Sequence, residues 1–348
     1  SRGLGDVYKR QELLGQAYFL RAWCYYLMFK WYGGLPLITE VLNPIPQAGV
    51  PRSTTKETYD FILKDLDTAI TLLDGKVAGR NNYEYGRPTV ATALALKGRI
   101  MVLYASPLFN RANDKSRWTD AYNFFNQAIP VINQYGNYLA YEGNPGTNAS
   151  NWAKMFIDGA SEANPEAIWF AQHNTIATGG TPDYSKNNGW ESGIRPSNSF
   201  GGGGKTPSAA MIDLFPMKDG KRPSSYNSYT VLDPSSITYN RELPFLDRDP
   251  RFYRTFAFPG VCWAFEGDAV NAERHYPYEG VNYQLWNYVW YTKAEDRNNI
   301  ESGDTYGPDG LLGNAKGMYV RKRTDDLHVS GAYRYVCLLY TSDAADEL

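Results

Sequence analysis

The chain has 348 residues, 15% of them aromatic, and carries 35 basic against 37 acidic side chains for a formal charge of −2. That balance gives no electrostatic reason to expect a nucleic acid or an anionic membrane surface as partner. Its three cysteines lack zinc or disulfide spacing, and no run approaches the roughly eighteen apolar residues of a membrane-spanning helix.

The two ends stand apart. Ser1 to Gln11 reads SRGLGDVYKRQ, the in-frame translation of a common sequencing-library transposon adapter, and Cys337 to Glu347, CLLYTSDAADE, is that of the opposite adapter. The expectation is that residues 1–11 and 337–348 are adapter-derived artefacts, so that the protein's own text runs from about Glu12 to Val336. Setting aside Arg2, Lys9, Arg10, Asp6, Asp343, Asp346 and Glu347 leaves 32 basic and 33 acidic residues, a net of −1.

Residues 12–136 read as a helical-repeat scaffold. In the first helix Leu13, Ala17, Leu20, Cys24, Leu27 and Trp31 alternate spacings of four and three, which places them on one stripe of a helix about 30 Å long. The expectation is that this stripe is buried against partner helices, with Cys24 a core thiol. Gly33-Gly34 ends the helix and Pro36 forces extended geometry on Leu35.

A capping box at Thr54-x-x-Glu57 opens a second helix, in which Tyr59, Ile62, Leu66, Ala69 and Leu73 recur at helical spacing and Gly75 supplies the C-terminal stop. It should pair antiparallel with the first. A third helix, about Thr89 to Ala105, has a small-residue face of Ala91, Ala95, Gly98 and Val102 that lets another helix approach closely. A fourth, about Trp118 to Gln134, buries Ala121, Phe125, Ala128 and Ile132 and is bent by Pro130. Two hairpins in series suggest a tetratricopeptide-like stack, with a generic bundle as the alternative.

The run FLRAWCYYLMFKWYGGLPLITE, Phe19 to Glu40, resembles the signature helix and turn of the SusD/RagB family, surface lipoproteins with which certain Gram-negative bacteria capture glycans, or peptides in the RagB branch. The features that carry it are Tyr18-Phe19, Leu20-Arg21-Ala22, Tyr25-Tyr26 and Tyr32-Gly33-Gly34-Leu35-Pro36-Leu37. Weaker pieces follow: Asn164 to Phe170 resembles a strand after the helical repeats, Pro207 to Gly220 a helix and turn, and Asp249 to Tyr253 and Gly317 to Lys322 two later landmarks. The resemblance implies a mainly α fold of tetratricopeptide-like helical hairpins. It also implies a non-enzymatic glycan-binding lipoprotein, lipid-anchored on the outer membrane, that delivers oligosaccharides to a TonB-dependent transporter of the SusC type.

Residues 137–336 read as an irregular, loop-rich ligand-binding region, rich in Gly, Asn, Ser and Pro, with a short candidate strand at Glu166 to His173. This half holds six of the nine tryptophans and no long amphipathic helix to bury them all. Sugar recognition needs flat aromatic surface for the C–H face of a pyranose and amide or carboxylate groups for its hydroxyls. Tyr184, Asn188 and Trp190 meet that need in one polar loop. If 286–290 is extended, Trp286, Tyr288 and Trp290 share one face and form a stacking platform, or else pack inward as core.

Gly204-Lys205-Thr206 falls short of a phosphate-binding loop because Ser199 stands where glycine is required, and Asp304 to Gly310 lacks the spacing of a calcium loop. No catalytic motif surrounds His173, His275 or His328. The expectation is therefore a binding protein with no cofactor, no metal and no nucleic-acid partner. A peptide-binding RagB-type protein, a glycoside hydrolase with inconspicuous carboxylates and a purely helical scaffold are the alternatives.

Overall fold

The computed structural model describes residues 4–41, 49–75, 86–135, 141, 143–146, 149–156, 165–171, 194, 206–223, 234–240, 244–257, 319–323 and 337–340. They fall into two compact units. One lies within Ser1–Tyr138, Pro165–Ala171 and Leu338–Leu348, the other within Leu139–Asn164 and Gln172–Cys337.

The first unit is helical. It holds α1 (Leu4–Tyr32), α2 (Thr55–Leu73), α3 (Val90–Ala105) and α4 (Ser116–Ile132). Helix α1 packs on α2, α2 on α3 and α3 on α4, so the helices form hairpins in series. Thr54 caps α2 as expected: its hydroxyl accepts from the Glu57 amide, and the Glu57 carboxylate accepts from the Thr54 amide in return. Thr89 and Thr92 form a second such box at α3, which satisfies amides that a buried helix start would otherwise leave orphaned. Gly75 adopts φ +65°, the left-handed geometry of a helix stop.

Ile62, Leu66, Ala69 and Leu73 form the fully buried face of α2. Each large aliphatic side chain removed from water in this way stabilises the unit by about 1.5–3 kcal/mol. At Gly98 an added Cβ would lie 2.5 Å from Cε1 of Phe125, so the small-residue face of α3 is where α4 comes close. Helix α4 continues through Pro130 to Ile132 and buries Ala121, Ala128 and Ile132, with Phe125 half-buried.

Helix α1 departs from expectation. Its buried face is Gly15, Phe19, Ala22, Tyr26 and Phe29, whereas Leu13, Ala17, Leu20, Cys24, Leu27 and Trp31 are all exposed. Cys24 is therefore not a core thiol. Both stripes have helical spacing, and partners on other elements select the aromatic one. Phe29 stacks on Phe109 with ring centroids 4.6 Å apart, and Tyr25 meets Phe61 edge-on at 4.9 Å. Arg21 then pairs with Asp65 of α2, Nε to Oδ2 2.6 Å and Nη2 to Oδ1 2.7 Å.

The Gly33-Gly34 turn is as sharp as its sequence implies. Gly33 sits at φ +68°, and at Gly34 a Cβ would lie 2.0 Å from the Ser53 carbonyl oxygen. The Tyr25 hydroxyl donates to the Pro36 carbonyl and accepts from the Ile38 amide, while Arg52 donates from Nε to the Gly34 carbonyl and from Nη2 to that of Tyr32. Strand β1 (Trp169–Ala171), which pairs with β4 (Cys337–Tyr340), belongs to this unit. Trp169 fills the helical core against Phe19 and Trp23 and donates its indole N–H to the Gly86 carbonyl at 2.8 Å.

The second unit has short elements: α5 (Ser150–Lys154), α6 (Ala209–Leu214), α7 (Pro250–Thr255), β2 (Phe256–Ala257) and β3 (Tyr319–Val320). Ser208 caps α6, and Asp249 caps α7 with Pro250 in the first turn. Strands β2 and β3 pair antiparallel, Phe256 with Val320 and Ala257 with Tyr319.

Candidate functional site

Tyr184, Asn188 and Trp190 fall in the stretch between β1 and α6, and Trp286, Tyr288 and Trp290 in the stretch between β2 and β3; all six lie outside the described residues. His173, His275, His328 and Asp304 to Gly310 do too. What the structure does describe is the base from which the second stretch springs.

That base is closed at one point. Because Ala257 pairs with Tyr319, residues 258–318 leave and return at the same place. Just beyond the pair, the Arg321 and Lys322 amides both donate to the Thr255 carbonyl, at 2.7 and 3.1 Å, and the Arg321 guanidinium donates to that of Tyr253 at 2.9 Å. Lys322 Nζ lies 4.2 Å from the ring centre of Phe156 and 5.1 Å from that of Trp152. Cations held over aromatic faces in this way anchor β3 to α5.

A buried arginine underlies the same base. Arg248 is 2% exposed, its Nη2 donates to the Ile212 and Phe215 carbonyls at the end of α6, and its Nε and Nη1 have no hydrogen-bond partner among the described residues. Its guanidinium lies 4.8 Å from the Phe252 ring centre and 5.0 Å from that of Tyr239. Burial lowers the Arg248 pKa from its ordinary value. Burial, then the hydrogen bond from its hydroxyl to Asp213 at 2.5 Å, pushes Tyr239 up to about 12. Arg248 thus holds the last carbonyls of α6 and stacks on α7, which fixes the ends of the long intervening stretch.

Other surfaces are less suited to a sugar. An open groove of about 410 Å³ runs along α2, lined by Asp60, Leu63, Lys64, Asp67, Thr68 and Thr71. No aromatic ring lines it, and its carboxylates and hydroxyls are already engaged: Asp60 with Lys56, Asp67 with Lys97, and both threonine hydroxyls with carbonyls one turn back. No cluster of His, Cys, Asp and Glu able to hold a metal occurs among the described residues. Trp152 and Trp169, two of the six tryptophans of the second half, are each 7% exposed and serve as core. Among the described residues the exposed aromatics are on the helical unit, at Tyr8, Trp31, Tyr32, Trp118 and Tyr122. Sequence reasoning missed them because their helical spacing reads as core.

Two family profiles match the chain. One, described as starch-binding associating with outer membrane, covers residues 4–102, and one described as the SusD family covers residues 165–333. A SusD-like protein P38 from Formosa agariphila is 27% identical over 130 residues, 33% of this chain and 25% of that protein. A solved SusD-like protein from Bacteroides fragilis superposes with a TM-score of 0.58 at 25% identity, over 92% of this chain and 52% of that one. A SusD-like carbohydrate binding protein from the same species superposes at 0.60 with 16% identity, over 98% of this chain and 53% of that one. The chain thus spans about half the length of these solved relatives and a quarter of the curated one. With its helical hairpins, its Gly-Gly-Leu-Pro turn and both profiles in place, the chain belongs to the SusD/RagB family.

Proposed function

We propose that this protein captures glycans at the outer face of the outer membrane, held there by a lipid anchor, and delivers them uncleaved to a TonB-dependent transporter of the SusC type. The observation that carries this reading is the match of two SusD-type profiles to separate parts of the chain, the first described as starch-binding. The likeness to a solved carbohydrate binding protein over nearly the whole chain supports it further. In this reading residues 12–136 are a helical-repeat scaffold and 137–336 the ligand-binding region. Tyr184, Trp190, Trp286, Tyr288 and Trp290 offer rings to the sugar's C–H faces, and Asn188 bonds its hydroxyls.

Electrophoresis through gels containing single polysaccharides tests the proposal. Retardation by at least one of them, abolished in Trp190→Ala, is expected. Indifference to every glycan together with binding of oligopeptides would replace it with the peptide-binding reading. Release of reducing ends at catalytic protein concentration would make the protein a hydrolase.

A further inference from the structure

Positive charge gathers where β3 meets α5 and α7. The described residues of these elements and of the turns beside them carry six cations, Lys154, Arg251, Arg254, Arg321, Lys322 and Arg323, and one carboxylate, Asp249, which Arg251 holds at 2.9 Å. Two of the cations converge on one ring: Lys322 Nζ lies 4.2 Å from the Phe156 ring centre and the Arg323 guanidinium 6.0 Å from it. Phe156 is buried and both cations are half-buried, so each is open to solvent on one side and less screened than at a free surface. The fold has a use for Lys322, which anchors β3 to α5. Arg323 stands at the outer limit of the ring's attraction and brings a second like charge to the same place.

The backbone enforces this convergence. Arg323 has φ +68°, and among the described residues the other non-glycines at positive φ are the short Asn113, Ala149 and Asp247. Left-handed geometry is unfavourable for a long side chain, and it persists where the surrounding structure fixes it, often at a binding site. Here the bonds of the Arg321 and Lys322 amides to the Thr255 carbonyl, and of the Arg321 guanidinium to that of Tyr253, hold the two preceding residues. The turn at Arg323 then keeps its guanidinium beside Phe156.

We propose that Lys322 and Arg323 form an anion clamp that takes a carboxylate or sulfate group of an acidic glycan. The inference rests on the glycan-capture reading and narrows its ligand to charged chains. An anion beside both cations offsets their repulsion. The guanidinium fork matches the oxygens of a carboxylate or sulfate, and the ammonium adds a second point charge. The clamp also follows closely on Tyr319, where residues 258–318, which carry three of the candidate ligand residues, return to the fold.

Calorimetric titration of the full chain with matched glycans tests the clamp: homogalacturonan against its methyl ester, and a sulfated galactan against its desulfated form. At least one charged chain should bind about tenfold more tightly than its neutral partner, the gain of one charge-assisted contact. Whichever pair shows the preference names the anion, and high salt should reduce it. Arg323→Gly removes the charge while glycine accepts left-handed geometry without penalty. Its unfolding midpoint should therefore hold while the preference for the charged chain disappears. Equal affinity for charged and neutral chains, or a preference that survives in Arg323→Gly, would overturn the clamp and leave the glycan reading standing. Indifference to every glycan, charged and neutral alike, would end both.

Discussion

Arg21 of α1 and Asp65 of α2 form a two-pronged ion pair in which the Asp65 side chain is 4% exposed and that of Arg21 31%. The guanidinium also lies about equally close to the Tyr18 and Phe61 rings, 5.1 and 5.0 Å from their centres. The Asp65 hydrogen bonds, opposed by burial, raise the Arg21 pKa. Arg21 therefore reads the register of the first hairpin. Arg21→Ala leaves the Asp65 carboxylate buried without its partner, a change that costs about 3 kcal/mol. Thermal unfolding should show a clear drop, smaller in Arg21→Lys, which keeps the charge but loses the second prong.

Two glycines set close approaches and should respond to alanine differently. In Gly98→Ala the new methyl meets the Phe125 ring at 2.5 Å, and a ring can shift, so overpacking should cost about 1–3 kcal/mol. In Gly34→Ala it meets the Ser53 carbonyl oxygen at 2.0 Å, and backbone must move. Urea unfolding should rank Gly34→Ala as the more damaging.

Tryptophans of the second half divide by role. Trp169→Ala removes a ring packed on Phe19 and Trp23 and the bond to the Gly86 carbonyl, and should cost about 3–5 kcal/mol. Trp190→Ala should leave the unfolding midpoint in place and remove glycan retardation. Comparing both variants by calorimetry and gel electrophoresis separates core from site.

Stability should fall at both ends of the pH scale. Glu57 is held below its ordinary value by bonds from the Thr54 amide and hydroxyl, Asp114 by the Ser116 hydroxyl and amide, and Asp219 chiefly by the Ser235 hydroxyl. A depressed carboxylate pKa contributes stability that is present above the unfolded value and lost as pH falls through the folded one. The midpoint should hold above pH about 5 and decline below about 4, less steeply in Glu57→Gln. Burial pushes Tyr59 and Tyr239 up to about 12. Raised values act in the other sense: their contribution is full below the ordinary tyrosine value and is lost as pH climbs toward 12. Tyr239→Phe should flatten part of that alkaline decline.

Helix α2 was readable because its capping threonine, its stop glycine and one apolar face agree, and α3 and α4 were readable from the helical spacing of their apolar and small residues, although α4 starts without a side-chain cap. The orientation of α1 was not, because two stripes of equal period compete, and choosing between them needs Asp65, Phe61 and Phe109 from other elements. Trp169 was readable as part of a short strand but not as core of the helical unit, since the Gly86 carbonyl that receives its N–H is distant in sequence. The candidate ligand residues rest on chemistry alone. Loops rich in Gly, Asn and Ser carry no periodicity from which a facing direction can be taken.

The proposed function requires that the protein bind a glycan and leave it uncut. The most direct measurement is calorimetric titration of the full chain with a polysaccharide that retards it, followed by assay of reducing ends in the same sample. Saturable binding is expected, lost in the Trp190→Ala, Trp286→Ala, Trp290→Ala combination, with the glycan recovered unchanged. Absence of binding heat across neutral and charged glycans, or a rise in reducing ends with turnover, would contradict it.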